Sequence, residues 1–404
     1  MKKLLKIISS LFITSASILA IGCTNKTVQN KDNNDRKPQN TLDSNNQSRN
    51  REKTKIEAIV SEDIKNKGIS ALNEIFKSQE EAFGSFHTYQ DVLDQFKVYL
   101  KDMNIYHLDY LFLTNQNEKN NLLKVDNDGV LNNIKISYFD KQLTFTPKIV
   151  LENKVKDKYN DDGNELIQVG YELQDLINNI KLTKIRKNTI KVPIHLPLKI
   201  NSLDESFKGL ESPKIDNLEK WNTKNIKFLT KTFEEAKNFN QSINSWDVSN
   251  VIDMTETFAG AIKFNQNLDL WNTSKVKTMK GMFWDAENFN GNVSTWKTKN
   301  VEDMEVMFSG AKNFNQDLSR WDVSRVETMK GMFSKTDTFN SDISNWDTSN
   351  VSSMEQMFEK AKKFNQDLHN WNVKKVTHAE NFNNDGVSDF SKNRLPKFNK
   401  KIFK

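Results

Sequence analysis

One spacing constrains this chain more than any other feature. Trp221, Trp246, Trp271, Trp296, Trp321, Trp346 and Trp371 follow one another at intervals of 25 residues without a slip. Phe239, Phe264, Phe289, Phe314, Phe339 and Phe364 keep the same period, as do Phe233, Phe258, Phe283, Phe308, Phe333 and Phe358. A period of this length marks a tandem array of small supersecondary units. No such unit can bury its own apolar face, so each must stack on its neighbours. Stacking of that kind produces a solenoid.

Within a unit the spacing divides in two. Val326, Met329, Met332, Phe333 and Thr336 fall at i, i+3, i+6, i+7 and i+10, which is a helical stripe. Leu318, Trp321 and Val323 sit in a polar stretch that suits a short strand and a turn. Asp322 and Ser324 precede the stripe, where their oxygens are placed to cap its first N–H groups. Each unit is therefore expected to be strand–turn–helix, and the array to be α/β. Asn240, Asn265, Asn290, Asn315, Asn340 and Asn365 follow the first Phe of each unit. They are expected to form a ladder at a buried inner corner, each amide bonding the backbone of the neighbouring unit. A row of ligand-contacting amides is the functional alternative. The Met-Met-Phe stripe is expected to fill the core.

The repeated unit, Phe-Asn-Gln…Leu…Trp-Asp-Val-Ser…Val…Met…Met-Phe, resembles the BspA-like leucine-rich repeats of bacterial surface proteins, especially mycoplasma lipoproteins. The likeness covers roughly residues 200–383. Phe, Trp and Met stand where most leucines of ordinary leucine-rich repeats would be. The resemblance implies a right-handed curved solenoid used in adhesion or host contact, and it names no ligand.

The array is expected to span residues 200–390 with irregular caps, since its ends face water. Ile200, Leu203 and Phe207 match part of a unit, one residue out of register with Trp221. Ala379 and Asn383 replace Met and Phe at the far end. Residues 391–404 carry Lys392, Arg394, Lys397, Lys400, Lys401 and Lys404 without an acid, a basic tail expected to be solvated.

The amino terminus has the layout of an export signal. Lys2, Lys3 and Lys6 precede an uncharged run from Ile7 to Gly22, too short for a confident membrane span. It ends in Leu19-Ala20-Ile21-Gly22-Cys23, and Cys23 is the one cysteine of the chain. This resembles the lipobox of bacterial lipoproteins. The resemblance implies cleavage within residues 1–23, before a diacylglyceryl-modified Cys23, and attachment to the outer face of the cell membrane. Residues 24–55 lack aromatics and hold only two large aliphatics, Val28 and Leu42, so a disordered tether is expected.

Between tether and array, residues 56–199 are expected to form a small α+β domain. Ile56, Ile59, Val60, Ile64, Ile69, Leu72, Ile75 and Phe76 give one helical stripe interrupted by Gly68. Val92, Leu93, Phe96 and Leu100 give a second, and runs such as Ile134–Tyr138 and Leu166–Val169 alternate as strands do. Asp126-Asn127-Asp128-Gly129 and Asn160-Asp161-Asp162-Gly163 are expected to be hairpin turns. A calcium loop would need an oxygen ligand where Lys124 and Lys158 stand.

Catalytic signatures are missing. The histidines at 87, 107, 195, 369 and 378 are scattered, and no phosphate loop or nucleophile elbow occurs. No cofactor, metal or catalytic residue is expected, and a net charge of +6 over 404 residues gives no reason to expect nucleic acid. Two function classes follow. The first is a surface lipoprotein whose array binds a protein or glycan through positions that vary between units. Those positions include Ser242, Asn267, Asn292, Asp317, Asp342 and Asp367, with Asp247, Asn272, Lys297 and Asp322. The second is an accessory or enzymatic lipoprotein with its activity in residues 56–199 and the repeats as scaffold.

Overall fold

The computed structural model describes residues 60–174, 179–383 and 392–399. Cys23, the signal, the tether, Ile56, Ile59 and the lysines at 400, 401 and 404 lie outside the described residues. The chain parts into Met1–Val60 and Ser61–Lys404, and all described elements belong to the second unit.

Two capped helices open it. In α1 (Glu62–Ser78) the Ser61 hydroxyl accepts the Ile64 N–H, Glu62 and Asp63 sit in the first turn, and Lys77 sits in the last. These placements suit the helix dipole. Gly68 does not interrupt the helix. It sits inside α1 where a Cβ would come within 2.4 Å of the Tyr138 ring, so it is there for close packing. In α2 (Tyr89–Asp102), Thr88 and Asp91 form a reciprocal capping box. The buried stripe of α2 is Val92, Leu93, Phe96 and Leu100. Phe76, Phe96 and Phe145 then meet at centroid distances of 4.9–5.3 Å.

β1 (Leu111–Leu113), β2 (Ile134–Tyr138) and β3 (Lys141–Phe145) pair antiparallel in that order. Ile134, Ile136 and Tyr138 of β2 are fully buried. β4 (Lys154–Val155), β7 (Tyr171–Gln174) and β8 (Asn179–Leu182) form a second antiparallel sheet, while β5 (Lys158–Tyr159) and β6 (Leu166–Gln168) form a hairpin. Asn160 closes that hairpin, its Oδ1 accepting the N–H groups of Asn164 and Glu165. Asp126 does not close a hairpin. Its carboxylate accepts the N–H groups of Asp128, Gly129 and Leu131, which folds a side-chain-bonded loop before β2.

The repeats begin where β8 ends. Lys181 of β8 bridges Ser202 in parallel, and the bridge passes on through Phe228, Asp253, Thr278, Asp303, Thr328, Ser353 and His378. One apolar core runs from Phe86 to Phe382, through residue 200 without a break. Phe207, out of register in the sequence, stacks on Phe233 at 5.0 Å. It is a full layer of the stack.

The expected helix in each unit does not form. No helix is assigned in the repeats apart from the three-residue 3-10 turn Leu218–Lys220, among the described residues. The reason lies in the backbone donors. The N–H groups of Met304, Val306, Phe308 and Gly310 donate to Thr328, Lys330, Met332 and Ser334 of the next unit. The alternate N–H groups, of Met307, Ser309 and Ala311, donate three residues back within the unit. A helix would need every one of these donors for its own i−4 carbonyls. The alternation also requires left-handed residues twice per unit, such as Val306 at φ 50° and Gly310 at φ 74°. No regular strand forms either, only single bridged residues. The stripe itself is buried, with Val326, Met329, Met332, Phe333 and Thr336 all at 0% exposure.

Candidate interaction surface and cleft

The aromatic columns are frame, not site. All seven repeat indoles are at most 4% exposed, and Phe258, Phe283, Phe308, Phe333 and Phe358 at most 3%. Phe258, Phe283, Phe308 and Phe333 stack with centroids 5.5–5.8 Å apart and planes within 5°. Each indole N–H reaches back one layer. Trp246 donates to the Leu218 carbonyl at 3.1 Å, Trp296 to Leu268 at 2.8 Å, Trp321 to Val293 at 3.1 Å and Trp371 to Ile343 at 3.1 Å. Trp221 donates likewise to Pro193, ahead of the repeats.

The asparagine column lies at the surface. Asn240, Asn265, Asn290, Asn315 and Asn340 are exposed and Asn365 is half-buried, so the expected inner corner is an outer edge. The side-chain oxygen of each accepts the backbone N–H of the next, at 2.8–2.9 Å, from Asn240 through to Asn365. Asn365 has no unit after it, and Arg394 donates to it instead, at 2.7 Å. Leu395 and Phe398 pack against the core beside that contact. Residues 392–399 therefore close the end of the stack and are not a solvated tail. Counting only the basic residues of this segment hid the signal, which was Leu395 and Phe398.

A second exposed column follows each Trp. Asn222, Asp247, Asn272, Asp322, Asp347 and Asn372 each accept the N–H two residues on, which fixes the turn. Asp322 therefore caps a turn and not a helix. Lys297 occupies the seventh place and offers no acceptor. On other faces, charges alternate from layer to layer and neutralise one another. Lys280 meets Glu305 at 2.8 Å, Lys330 meets Glu355 at 2.9 Å, Glu287 meets Lys312 at 2.8 Å and Asp337 meets Lys362 at 2.8 Å.

A cleft of about 600 Å³ lies between the helices, β6–β7 and the segment 193–197. Its walls include Ile75, Phe83, Val169 and Ile194, and its polar lining includes Glu74, Gln95, Tyr99, Asp102, Lys158 and His195. Helix α2 grips the segment leading into the repeats with one face. Asp91 pairs with Lys199 at 2.7 Å, Gln95 accepts the Leu198 N–H at 2.9 Å, and Asp102 contacts His195. Burial pushes the Tyr99 hydroxyl up to about 12, partly offset by the neighbouring Gln95 amide. Burial also lowers His195, against the pull of Asp102. Behind the cleft, burial lowers His87 to about 4. Its Nδ1 takes the Gly84 N–H at 3.1 Å, and its Nε2 lies 3.1 Å from the Tyr171 hydroxyl, which donates to the Ala82 carbonyl at 2.9 Å. That network is complete with a neutral imidazole, so His87 holds structure together. His107, His369 and His378 do not join it. Among the described residues no cluster of three or more acidic, His or Cys side chains is placed to hold a metal. Nor, among them, is any helix long and apolar enough to cross a membrane.

Sequence comparison agrees with the repeat geometry. A family described as "Mycoplasma protein of unknown function, DUF285" matches residues 201–310 and again, overlapping, 289–398. The tandem matches span just under half of the chain, and the repeat half is similar to this mycoplasma family. No curated protein and no solved structure matches the chain.

Proposed function

We propose that this is a surface lipoprotein, of the BspA-like kind, that binds a protein or glycan partner through a repeat solenoid and catalyses nothing. The observation that carries the reading is the contrast between columns. Buried positions keep Phe, Trp and Met from unit to unit, while exposed positions on the same frame change, as from Asp247 to Asn272 to Lys297 to Asp322. A fixed frame with variable exposed columns sums many weak contacts along an extended partner. Cys23, bearing a diacylglyceryl group, would hold the protein to the outer face of the membrane, two acyl chains being enough for stable attachment.

Two experiments test this. Cys23→Ser should move the protein from the detergent phase to the aqueous phase, and unchanged partitioning refutes the anchor. Adhesion of the full chain to cells should fall when exposed repeat residues are exchanged and should survive Ile194→Trp, which fills the cleft. The opposite pattern supports the second reading. In that reading the cleft beside Gln95 and Tyr99 carries a small-ligand or accessory activity and the repeats are its scaffold.

A further inference from the structure

The Lys297 unit breaks a rule that the other units keep. Six of the seven residues after the repeat tryptophans are Asp or Asn and hold the turn by accepting the N–H two residues on. Trp296-Lys297-Thr298-Lys299 has no such acceptor, so this turn forgoes a hydrogen bond that its siblings make. The Lys297 N–H gains a bond to the Thr273 Oγ1 at 2.9 Å, but the acceptor of the turn is still given up, and a local rule broken in one unit points to a demand from outside the fold.

The surroundings show what that demand is. Lys297 and Lys299 line an open groove of about 600 Å³, and Arg320 lines it from the following unit. All three are exposed and, among the described residues, none forms a salt bridge. Four cations on other faces, Lys280, Lys312, Lys330 and Lys362, are each matched by an acid one unit away, while Lys275 and Lys375 bond asparagine side chains. The one acid lining the groove, Asp322, accepts from the Ser324 hydroxyl and N–H, which lower its pKa and keep it charged, so it offsets one of the three cations. Three cations face that single carboxylate, so the groove keeps a net positive field across two units of the stack. Such a field attracts a polyanion and is screened by salt.

We infer that the groove formed by Lys297, Lys299 and Arg320 binds the sulfate esters of an extended acidic polysaccharide. This deepens the binding function proposed above and rests on it. Single-stranded nucleic acid fits less well, because base binding needs an exposed ring. The aromatic residue of this groove, Trp296, is 3% exposed and stacked between Trp271 and Trp321.

The test uses the full chain and dextran sulfate, with neutral dextran, poly(dT) and phosphatidylglycerol vesicles as comparison arms. Lys297→Asp restores the residue type of the other units and so protects the fold while reversing the charge. It should weaken dextran sulfate binding about tenfold or more and flatten its salt dependence. Adding Lys299→Ser and Arg320→Ser should abolish binding, whereas Lys362→Ser, which removes a paired cation, should change it less than about twofold. Equal binding by wild type and the triple variant overturns the inference. So does equal or tighter binding of poly(dT) or of vesicles that depends on the same three residues. If dextran sulfate fails while adhesion to cells still follows other exposed columns, this groove assignment falls and the wider binding function stands. Loss of both would sink the two together.

Discussion

The helical region and the repeats solve the same burial problem with different bookkeeping. In residues 61–199 each contact is made once, often between residues far apart in sequence. Tyr171 reaches Ala82 and His87, Gln95 reaches Leu198, and Gly68 admits the Tyr138 ring. In the repeats one small set of contacts is made again in every layer, always to the adjacent unit. The first arrangement puts great weight on single residues anywhere in the region. The second shares the load along the stack and makes position within it decisive.

The sharpest way to break that comparison is at the tryptophans. Trp321→Ala, with a layer on each side, should cost about 3–5 kcal/mol in denaturant unfolding through lost burial and a cavity. Trp371→Ala, near the end where residues 392–399 pack, should cost distinctly less. Equal costs would mean that the layers do not act through their neighbours.

In the helical region the matching test is pH. Burial holds His87 at about 4, against an ordinary 6.5 that the unfolded chain retains. Between those values the unfolded state binds the extra proton, so stability is full above pH 6.5 and falls as pH drops toward 4. The loss is about 3 kcal/mol. His195 shifts in the same direction, so His87→Gln, which should shrink this acid limb, isolates the contribution of His87. An undiminished limb in the variant would place the titration elsewhere.

Two smaller effects sharpen the contrast. Gly68→Ala drives a methyl into the Tyr138 ring and should cost about 1–3 kcal/mol in thermal or denaturant unfolding. Val306→Gly should act the other way. A β-branched residue at φ 50° is strained, and Gly281 and Gly331 hold the equivalent places one unit to either side. Relief of that strain should raise stability by about 1 kcal/mol. A loss would show that the packing of Val306 outweighs its backbone strain.

What the sequence disclosed follows the same division. The 25-residue register located the buried columns, because a period repeated this often averages out local noise. It misassigned the element they sit on. Spacings of three, six and seven serve a helix, but they equally serve a chain that alternates tight turns with bonds to the next layer. Nothing within one unit says where its N–H groups go. The clue was Gly260, Gly281, Gly310 and Gly331, glycines inside a supposed helix at the two left-handed columns. In the helical region the stripe of α2 and the Leu72 and Ile75 part of α1 were plain, since a helix is a local object, although Ile64 of the expected α1 stripe is exposed. The cleft was not, because Ile75, Tyr99, Val169 and His195 are brought together only by the tertiary fold. The Asn column was placed in the interior because a Phe precedes each Asn, yet adjacent residues of an extended segment point to opposite sides.

The bonds between layers have a kinetic consequence. In the central units they span a narrow range of sequence separation, 24 from Asp285 to Ser309 and 28 from Trp321 to Val293. Adding a unit lengthens the chain without lengthening any loop that must close. The entropic barrier to ordering the next layer is therefore the same for the fourth unit as for the seventh. Folding can start at whichever pair of layers forms first and spread in both directions, and its rate should depend little on how many units the array holds.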